Sequence, residues 1–284
     1  MTMTARSDAA SIVFDDVSYR YSEHDDWALT HIRFGIASGE WATVTGGSGS
    51  GKSTLAKLAN GLLKPDAGRV TVYGTDASSG DARTIRQLIG IVFQNPDDQT
   101  VGGTVEEDIA FGLQNLRVPR DEMRRRIDRV LRLLRLTELR GRPVHGLSGG
   151  QKQRLAVAGV LAMNPRAIVF DEAASMLDPE NAAHLRSVML DLHRSGITII
   201  HITHDPEDLL KSERILVLHD GRLAFDGDWR ALAACSGVLE EAHMLAPFLI
   251  RFQQAIRAKG CDWPVFSGSE KELARTIWEF ASKM

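Results

Sequence analysis

The sequence predicts an α/β protein organised around a parallel sheet, and three observations carry that reading. Short continuous apolar runs recur along the chain: WATVT (41–45), LIGIVF (88–93), AIVF (167–170), ITIIHIT (197–203) and ILVL (215–218). Runs of this length without polar alternation suit strands buried on both faces. Helical stretches separate them, and strand–helix alternation is the pattern of a parallel sheet covered by helices. Finally, a glycine-rich loop, GGSGSGKST (46–54), joins the first of those strands to the helical run LAKLANGLL.

Size and composition bound the answer. A chain of 284 residues can bury a sizeable core in one or two domains. Hydrophobic residues make up 43% and charged residues 25%, as in ordinary globular proteins. A formal net charge of −3 gives no whole-protein attraction to nucleic acid or an anionic membrane. The opening residues, MTMTARSDAA, contain no apolar h-region, so no secretory signal is expected. No apolar run reaches the roughly 18 residues that a membrane span needs. Cys235 and Cys261 are far apart and outside any CxxC pattern, so free thiols are expected.

Taken in order, residues 1–10 read as a polar, loosely ordered tail. From Ile12 to Phe34 apolar and polar residues alternate (Val17, Tyr19, Tyr21, then Ile32, Phe34, Ile36), as in half-exposed antiparallel strands. FQNPDDQT (93–100) contains Asn-Pro, a turn signal, directly after a strand. Residues 121–136 place Met123, Ile127, Val130, Leu131 and Leu134 on one helical face, with Arg124, Arg125 and Arg126 as its solvated side. HDGRL (219–223) is a tight hairpin turn centred on Asp-Gly. After Gly227 the pattern changes. Val238, Ala242, Leu245, Leu249, Phe252 and Ile256 predict an amphipathic helix with Pro247 as a kink. Ser269 with Glu272 forms a capping box for a last helix carrying Leu273, Ile277 and Phe280. No internal repeat or low-complexity segment is visible.

The glycine-rich loop fits G-x-x-x-x-G-K-[ST] in the strand–loop–helix context that the motif requires. Gly46, Gly49 and Gly51 permit a loop whose backbone N–H groups point at phosphate oxygens, with Gly47, Ser48, Ser50 and Thr54 completing it. The helix that starts there adds its positive end. Lys52 is expected to reach the β- and γ-phosphates of ATP, and Ser53 to offer its hydroxyl to Mg²⁺. AIVFDE (167–172) is an apolar strand ending in two carboxylates. Alone, such an end would be a cap or a loop pair; downstream of a phosphate loop, Asp171 reads as a Mg²⁺ ligand and Glu172 as the group that orients or deprotonates water.

LSGGQKQRLAVAGVLAMNP (147–165) narrows the reading. Here the chain resembles the ATP-binding-cassette (ABC) ATPases, whose signature is LSGGQ; Ser148, Gly149, Gly150 and Gln151 match it letter for letter. Ser-Gly-Gly before a long helix makes another anion site from a hydroxyl, bare N–H groups and a helix N-terminus. The resemblance implies that this cradle serves the nucleotide of an opposing subunit, giving a head-to-tail dimer around two ATP molecules. It further implies that SMLD (175–178) is the D-loop, with Asp178 crossing the dimer interface. ITHD (202–205) would then carry the switch histidine, His204, and Gln94 would be the Q-loop glutamine, a ligand to Mg²⁺ and a sensor of the membrane partner. Tyr21 resembles the aromatic residue that stacks on adenine, although Tyr19 has the same parity and packing explains a strand-end tyrosine equally. Asp205-Pro206 starts a helix with a cap and a proline at its first position. The match covers residues 11–227. It implies a P-loop NTPase fold: a RecA-like parallel core, an antiparallel β subdomain and a helical signature subdomain over about residues 95–160. Residues 228–284 would form a small helical C-terminal extension.

VFQNPDDQTVGGTVEEDIAFGLQN (92–115) and DEAASMLDP (171–179) look like the ATPases of energy-coupling factor (ECF) importers, which take up vitamins and transition-metal ions. Ala173-Ala174 departs from the Pro-Thr of many ABC ATPases; Ala at the first position is usual in one of the two ECF paralogues, which favours a paralogue over an identical copy as second ATPase. The resemblance implies a membrane coupling subunit, a substrate-binding membrane subunit and a place at the cytoplasmic face of the cell membrane. It puts a groove for a coupling helix near residues 94–115, with Asp97 or Asp98 either facing an arginine of that helix or only solvent. The apolar stripes of the extension either pack across a dimer or cover the chain's own core. Two other functions remain open on sequence alone: the ATPase of another ABC transporter class, and a soluble ABC protein acting on nucleic acid. The latter lacks support, since the chain has neither a second cassette nor a basic stripe.

Overall fold

The structure, a computed structural model, describes residues 10–78, 82–235 and 237–258, with Arg275 and Trp278. Cys261, the 269–272 capping box and the last predicted helix lie outside the described residues, apart from the backbone of Arg275 and Trp278.

The chain opens with an antiparallel pair, β1 (Ala10–Tyr19) and β2 (Leu29–Ala37). Ile12, Phe14 and Val17 of β1 and Ile32 and Ile36 of β2 are buried, as the alternation predicts. Ala10, the last residue of the stretch read as a tail, already belongs to β1, and residues 1–9 lie outside the described residues. β3 (Trp41–Thr45) feeds the glycine-rich loop and α1 (Lys52–Ala59). β4 (Ala67–Val72) and β5 (Thr75–Asp76) complete an antiparallel sheet of order β2-β1-β4-β5. α2 (Ala82–Leu88) leads into β6 (Ile89–Val92).

A helical layer follows: α3 (Val105–Asn115), α4 (Arg120–Leu133) and α5 (Gly149–Ala162). Thr104 and Glu107 form the capping box that starts α3. α4 buries Ile127, Val130 and Leu131 on the face that its periodicity predicts, with Leu134 following as its cap. The arginine triplet is not uniformly solvated. Arg126 donates to Glu122 and to the Ala162 carbonyl, because its position on the helix points it at the end of α5.

β7 (Ala167–Asp171), α6 (Pro179–Arg194), β8 (Thr198–Ile202), the short α7 (Pro206–Leu209), β9 (Arg214–His219) and β10 (Arg222–Gly227) come next. Asp220 and Gly221 both have positive φ, 46° and 71°, which makes the β9–β10 connection the Asp-Gly hairpin that the sequence predicts. The second sheet has the order β10-β9-β3-β8-β7-β6, and its five strands β9, β3, β8, β7 and β6 are parallel.

The extension differs from its prediction. It folds as α8 (Trp229–Ala234), α9 (Val238–Glu241) and α10 (Phe248–Ala258), not as one kinked helix. His243 takes a φ of +54°, which ends α9, and the Pro247 carbonyl accepts from Arg251 N, so the proline starts α10. Leu245, placed by periodicity on the buried stripe, is 70% exposed. Trp229, Leu232, Leu239 and Ile250 pack with Ile215 and Val217 of β9. Within this chain, then, part of the extension covers the chain's own core.

Candidate functional site

In a parallel α/β sheet the loops at the carboxyl ends of adjacent strands converge, and ligands bind there. The order β3-β8-β7-β6 therefore decides the site. β3 ends at the glycine-rich loop, β8 just before His204, β7 at Asp171 and Glu172, and β6 just before Gln94. Residues scattered over more than a hundred positions arrive side by side.

The loop is built for close approach. At Gly46, φ is +148° and an added Cβ would lie 2.1 Å from the Leu218 carbonyl oxygen; at Gly51, φ is +101° and the Cβ would lie 2.5 Å from Leu29 Cδ2. Only glycine fits these positions. Lys52 reaches back through the loop, its Nζ donating to the carbonyls of Gly46 and Gly47 at 2.8 Å each. Burial lowers the Lys52 pKa, opposed by the carboxylates of Glu172 and Asp171. Burial raises that of Asp171, opposed by a hydrogen bond from Ser53 and by Lys52. Each buried charge is thus held by the other's field.

Gln94 Nε2 donates to Glu172 Oε2 at 3.0 Å, and His204 Nδ1 lies 3.3 Å from the same oxygen. Glu172 itself has a φ of +50°, and its N–H donates to the Ile202 carbonyl at 3.0 Å, tying the ends of β7 and β8. A non-glycine residue held in the left-handed region at a strand end is backbone strain placed at a site.

These residues share one cavity of about 590 Å³, lined by Gly46, Gly47, Ser48, Gly49, Gly51, Lys52, Ser53 and Thr54 together with Tyr21, Gln94, Glu172 and His204. Of the two tyrosines of equal parity, Tyr19 is buried, while Tyr21 is 56% exposed, lines the cavity and hydrogen-bonds Thr54 Oγ1 at 3.0 Å. The Ser50 hydroxyl is buried without a hydrogen-bond partner and Ser50 is not among the lining residues, so its backbone N–H is the group it offers to the loop. Asp171 sits behind the cavity wall, 4% exposed.

The remaining predicted residues are elsewhere. Ser148 and Gln151 form a reciprocal capping box at the start of α5, which occupies their side chains and leaves the Gly149 and Gly150 N–H groups at the open helix end. Asp178 caps α6 by accepting from Asn181, which lowers its pKa. A Cβ on Gly150 would lie 3.4 Å from Leu177, so these two helix starts adjoin each other but not the cavity. Ala28, His243 and Met244 also line the cavity, and no motif announced them.

The stretch 93–100 is a turn with three attachments. Asn95 caps a single 3-10 turn, Pro96–Asp98. Lys152 of α5 pairs with Asp97 at 2.6 Å, and Gln153 donates to the Phe93 carbonyl at 3.0 Å. The Gln99 side chain folds inward, accepting from Phe93 N and donating to the Ile91 carbonyl. Beside it opens a groove of about 590 Å³, lined by apolar Leu62, Phe93, Val101, Phe111 and Met163, with Arg86 among its polar residues.

The family model described as ABC transporter matches residues 29–175, just over half of the chain. The chain belongs to the ABC transporter family. As a member of it, the chain is a nucleotide-binding ATPase. It is 41% identical over 272 residues to the energy-coupling factor transporter ATP-binding protein EcfA1 of Halalkalibacterium halodurans, covering 95% of this chain and 98% of that one. Among solved structures it is similar to cbiO1 of Clostridium perfringens, part of the ABC transporter complex cbiONQ. That match has a TM-score of 0.71 and 34% identity over 87% of this chain and 99% of that one. It is also similar to the ATP-binding cassette MJ0796, solved as a dimer in a post-hydrolysis state bound to ADP and Pi. Here the TM-score is 0.69 and the identity 28%, over 76% of this chain and 98% of that one.

Proposed function

We propose that this chain is the ATP-binding and hydrolysing subunit that energises an ECF-type importer of vitamins or transition-metal ions. The observation that carries the reading is the convergence of Gln94 and His204 on one carboxylate oxygen of Glu172, beside a glycine-rich phosphate loop. The relatives named above support the transporter class.

ATP fits the residues present. The glycines let the loop pack where a Cβ would strike Leu218 or Leu29, Lys52 holds the loop through the Gly46 and Gly47 carbonyls, and Tyr21 stands exposed in the same cavity for the base. Among the described residues no group of three or more His, Cys, Asp or Glu side chains is arranged to hold a metal alone. That suits Mg²⁺, which binds through few protein ligands plus substrate phosphates. Ser53, Gln94 and Asp171 would hold it, and it would neutralise charge on the phosphates. The backbone of 46–54 with Lys52 binds and orients the β- and γ-phosphates. Glu172 accepts a proton from, or orients, the attacking water, and His204 donates to the terminal phosphate. Hydrolysis by this set is positioning plus charge stabilisation.

Ser148, Gly149, Gly150, Gln151 and Asp178 lie outside this cavity, so we assign them to the nucleotide of a second ATPase subunit in a head-to-tail dimer. A paralogue is favoured by Ala173-Ala174. In this reading residues 11–227 are the cassette and 228–284 the extension, and the apolar groove beside Gln99 takes a coupling helix of a membrane subunit, beside a substrate-binding membrane subunit. Because Lys152 already neutralises Asp97, Asp98 is the carboxylate left for that helix. Among the described residues no helix is long and apolar enough to cross a membrane, which suits a peripheral place at the cytoplasmic face, held by those membrane subunits.

Co-purification from cells producing this chain with its neighbouring membrane proteins tests the reading, read by the stoichiometry of ATPase chains and by Mg²⁺-dependent phosphate release. A purified assembly without Mg²⁺-dependent ATP hydrolysis would overturn it.

A further inference from the structure

The C-terminal extension reaches the nucleotide cavity, and nothing in the motifs accounts for that. His243 and Met244 line it together with Lys52, Glu172 and His204. They also line the adjoining cavity, which shares Glu172 and His204 but not Tyr21. His243 therefore stands at the end of the site where Glu172 and His204 stand, away from the tyrosine.

The local backbone holds it there. Ala242 is fully buried, and its carbonyl abuts the loop so closely that a Cβ on Gly47 would lie 3.0 Å from the oxygen. The end of α9 is closed by His243 N donating to Glu240 O at 2.9 Å and Met244 N to Leu239 O at 2.7 Å. That closure needs a left-handed residue, a position usually filled by glycine. Here it is His243, at φ +54°. Its ring is exposed and packs at 6.0 Å against the ring of His219, at the end of the strand whose Leu218 carbonyl abuts Gly46. Histidine is among the residues that take this conformation, and here it presents its side chain to the ligand cavity.

We propose that His243 is a nucleotide-contacting residue carried by the C-terminal extension, its imidazole donating a hydrogen bond to an oxygen at the terminal-phosphate end of a bound nucleoside triphosphate. This rests on the nucleotide-binding reading above. It gives the extension a direct part in distinguishing the triphosphate from the diphosphate, through a side chain whose backbone is set by the end of α9.

The test uses the purified full-length chain, titrated with fluorescent ATP and ADP analogues in EDTA so that no hydrolysis occurs. His243→Gly and His243→Asn both tolerate the left-handed backbone and remove the imidazole. ATP affinity is expected to fall roughly tenfold in His243→Gly, the loss of one hydrogen bond to a charged group, while ADP affinity stays within about twofold. Asn, which keeps a donor on a shorter side chain, is expected to fall between. Lys52→Ala is the control for the reading beneath. If Lys52→Ala loses nucleotide binding while both His243 variants bind ATP like the parent, the His243 contact is refuted and the site stands. Equal losses for ATP and ADP would also refute it, since they would mark a general disturbance of the loop. If Lys52→Ala binds normally, the nucleotide site itself is misassigned and the contact falls with it.

Discussion

Acid should destabilise this protein through one buried side chain, His201. It lies on β8, 3% exposed, with Trp41 edge-on at 6.2 Å. Burial pushes its pKa down to about 4, against the pull of Asp208, whose Oδ2 is 3.9 Å from Nε2; Arg186 and Lys211 add to the lowering, and Asp205 opposes it. A histidine whose folded pKa is depressed contributes stability above its unfolded pKa, near 6.5, and loses it as pH falls towards the folded value. The unfolded chain binds a proton that the native chain refuses. Between about pH 7.5 and about pH 5 the loss from this group is about 2 kcal/mol, from about 1.4 kcal/mol per pH unit of proton uptake. The Asp208 pKa is itself lowered against its burial, and with His201 neutral in this window the cations of Lys211 and Arg186 hold that carboxylate ionised. His201→Phe removes the titration without removing a hydrogen bond, since Nδ1 has no partner and Nε2 lies beyond bonding distance. Urea denaturation of both proteins at the two pH values is the assay. The variant is expected to gain about 2 kcal/mol on the parent as the pH falls. Parallel pH dependence in the two proteins would refute the reasoning.

Three further outcomes follow from the geometry. Glu172→Gln removes the proton acceptor but keeps the contacts' shape, so ATP still binds while phosphate release falls by roughly 10²–10⁴-fold; wild-type turnover would remove Glu172 from its role. Gly46→Ala forces a Cβ against the Leu218 carbonyl at positive φ. It should cost more than about 1 kcal/mol and weaken nucleotide binding more than roughly fivefold, measured by titration calorimetry. Arg214, 6% exposed, holds Asp226 through two hydrogen bonds of 2.6 Å and also donates to the Gly35 carbonyl. Arg214→Met leaves Asp226 unpaired and should lower stability by about 3 kcal/mol in chemical denaturation.

What was legible in the sequence, and what was not, divides along physical lines. The buried strands were legible because a parallel strand covered on both faces needs an unbroken apolar run, and WATVT became β3 residue for residue. The glycine-rich loop and the strand-end residues were legible because their chemistry fixes residue type and spacing together. The extension was not. Periodicity sees which residues share a helical face, and Val238, Ala242, Leu245 and Leu249 do so on paper. It cannot see that a histidine will take the left-handed conformation that ends α9. His243 and Met244 were missed for the same reason: the long-range contact of Ala242 with Gly47 places them, and no local pattern encodes it.

The turn at 93–100 connects these parts. Gln94 reaches Glu172, so the turn reads the state of the site through one hydrogen bond. Asp97 and the Phe93 carbonyl are bonded to Lys152 and Gln153 in the first two turns of α5, so the turn is tied to the helix that carries the signature residues. Gln99 stitches the same turn to the end of β6 and lines the apolar groove. A helix seated in that groove therefore presses on a segment that is bonded at once to the carboxylate beside the phosphate loop and to the helix carrying Ser148. In the proposed dimer, Ser148 serves the opposing nucleotide. A displacement of the groove would then shift Gln94 in its own site and the signature helix in the other, through side-chain bonds already present within this one chain.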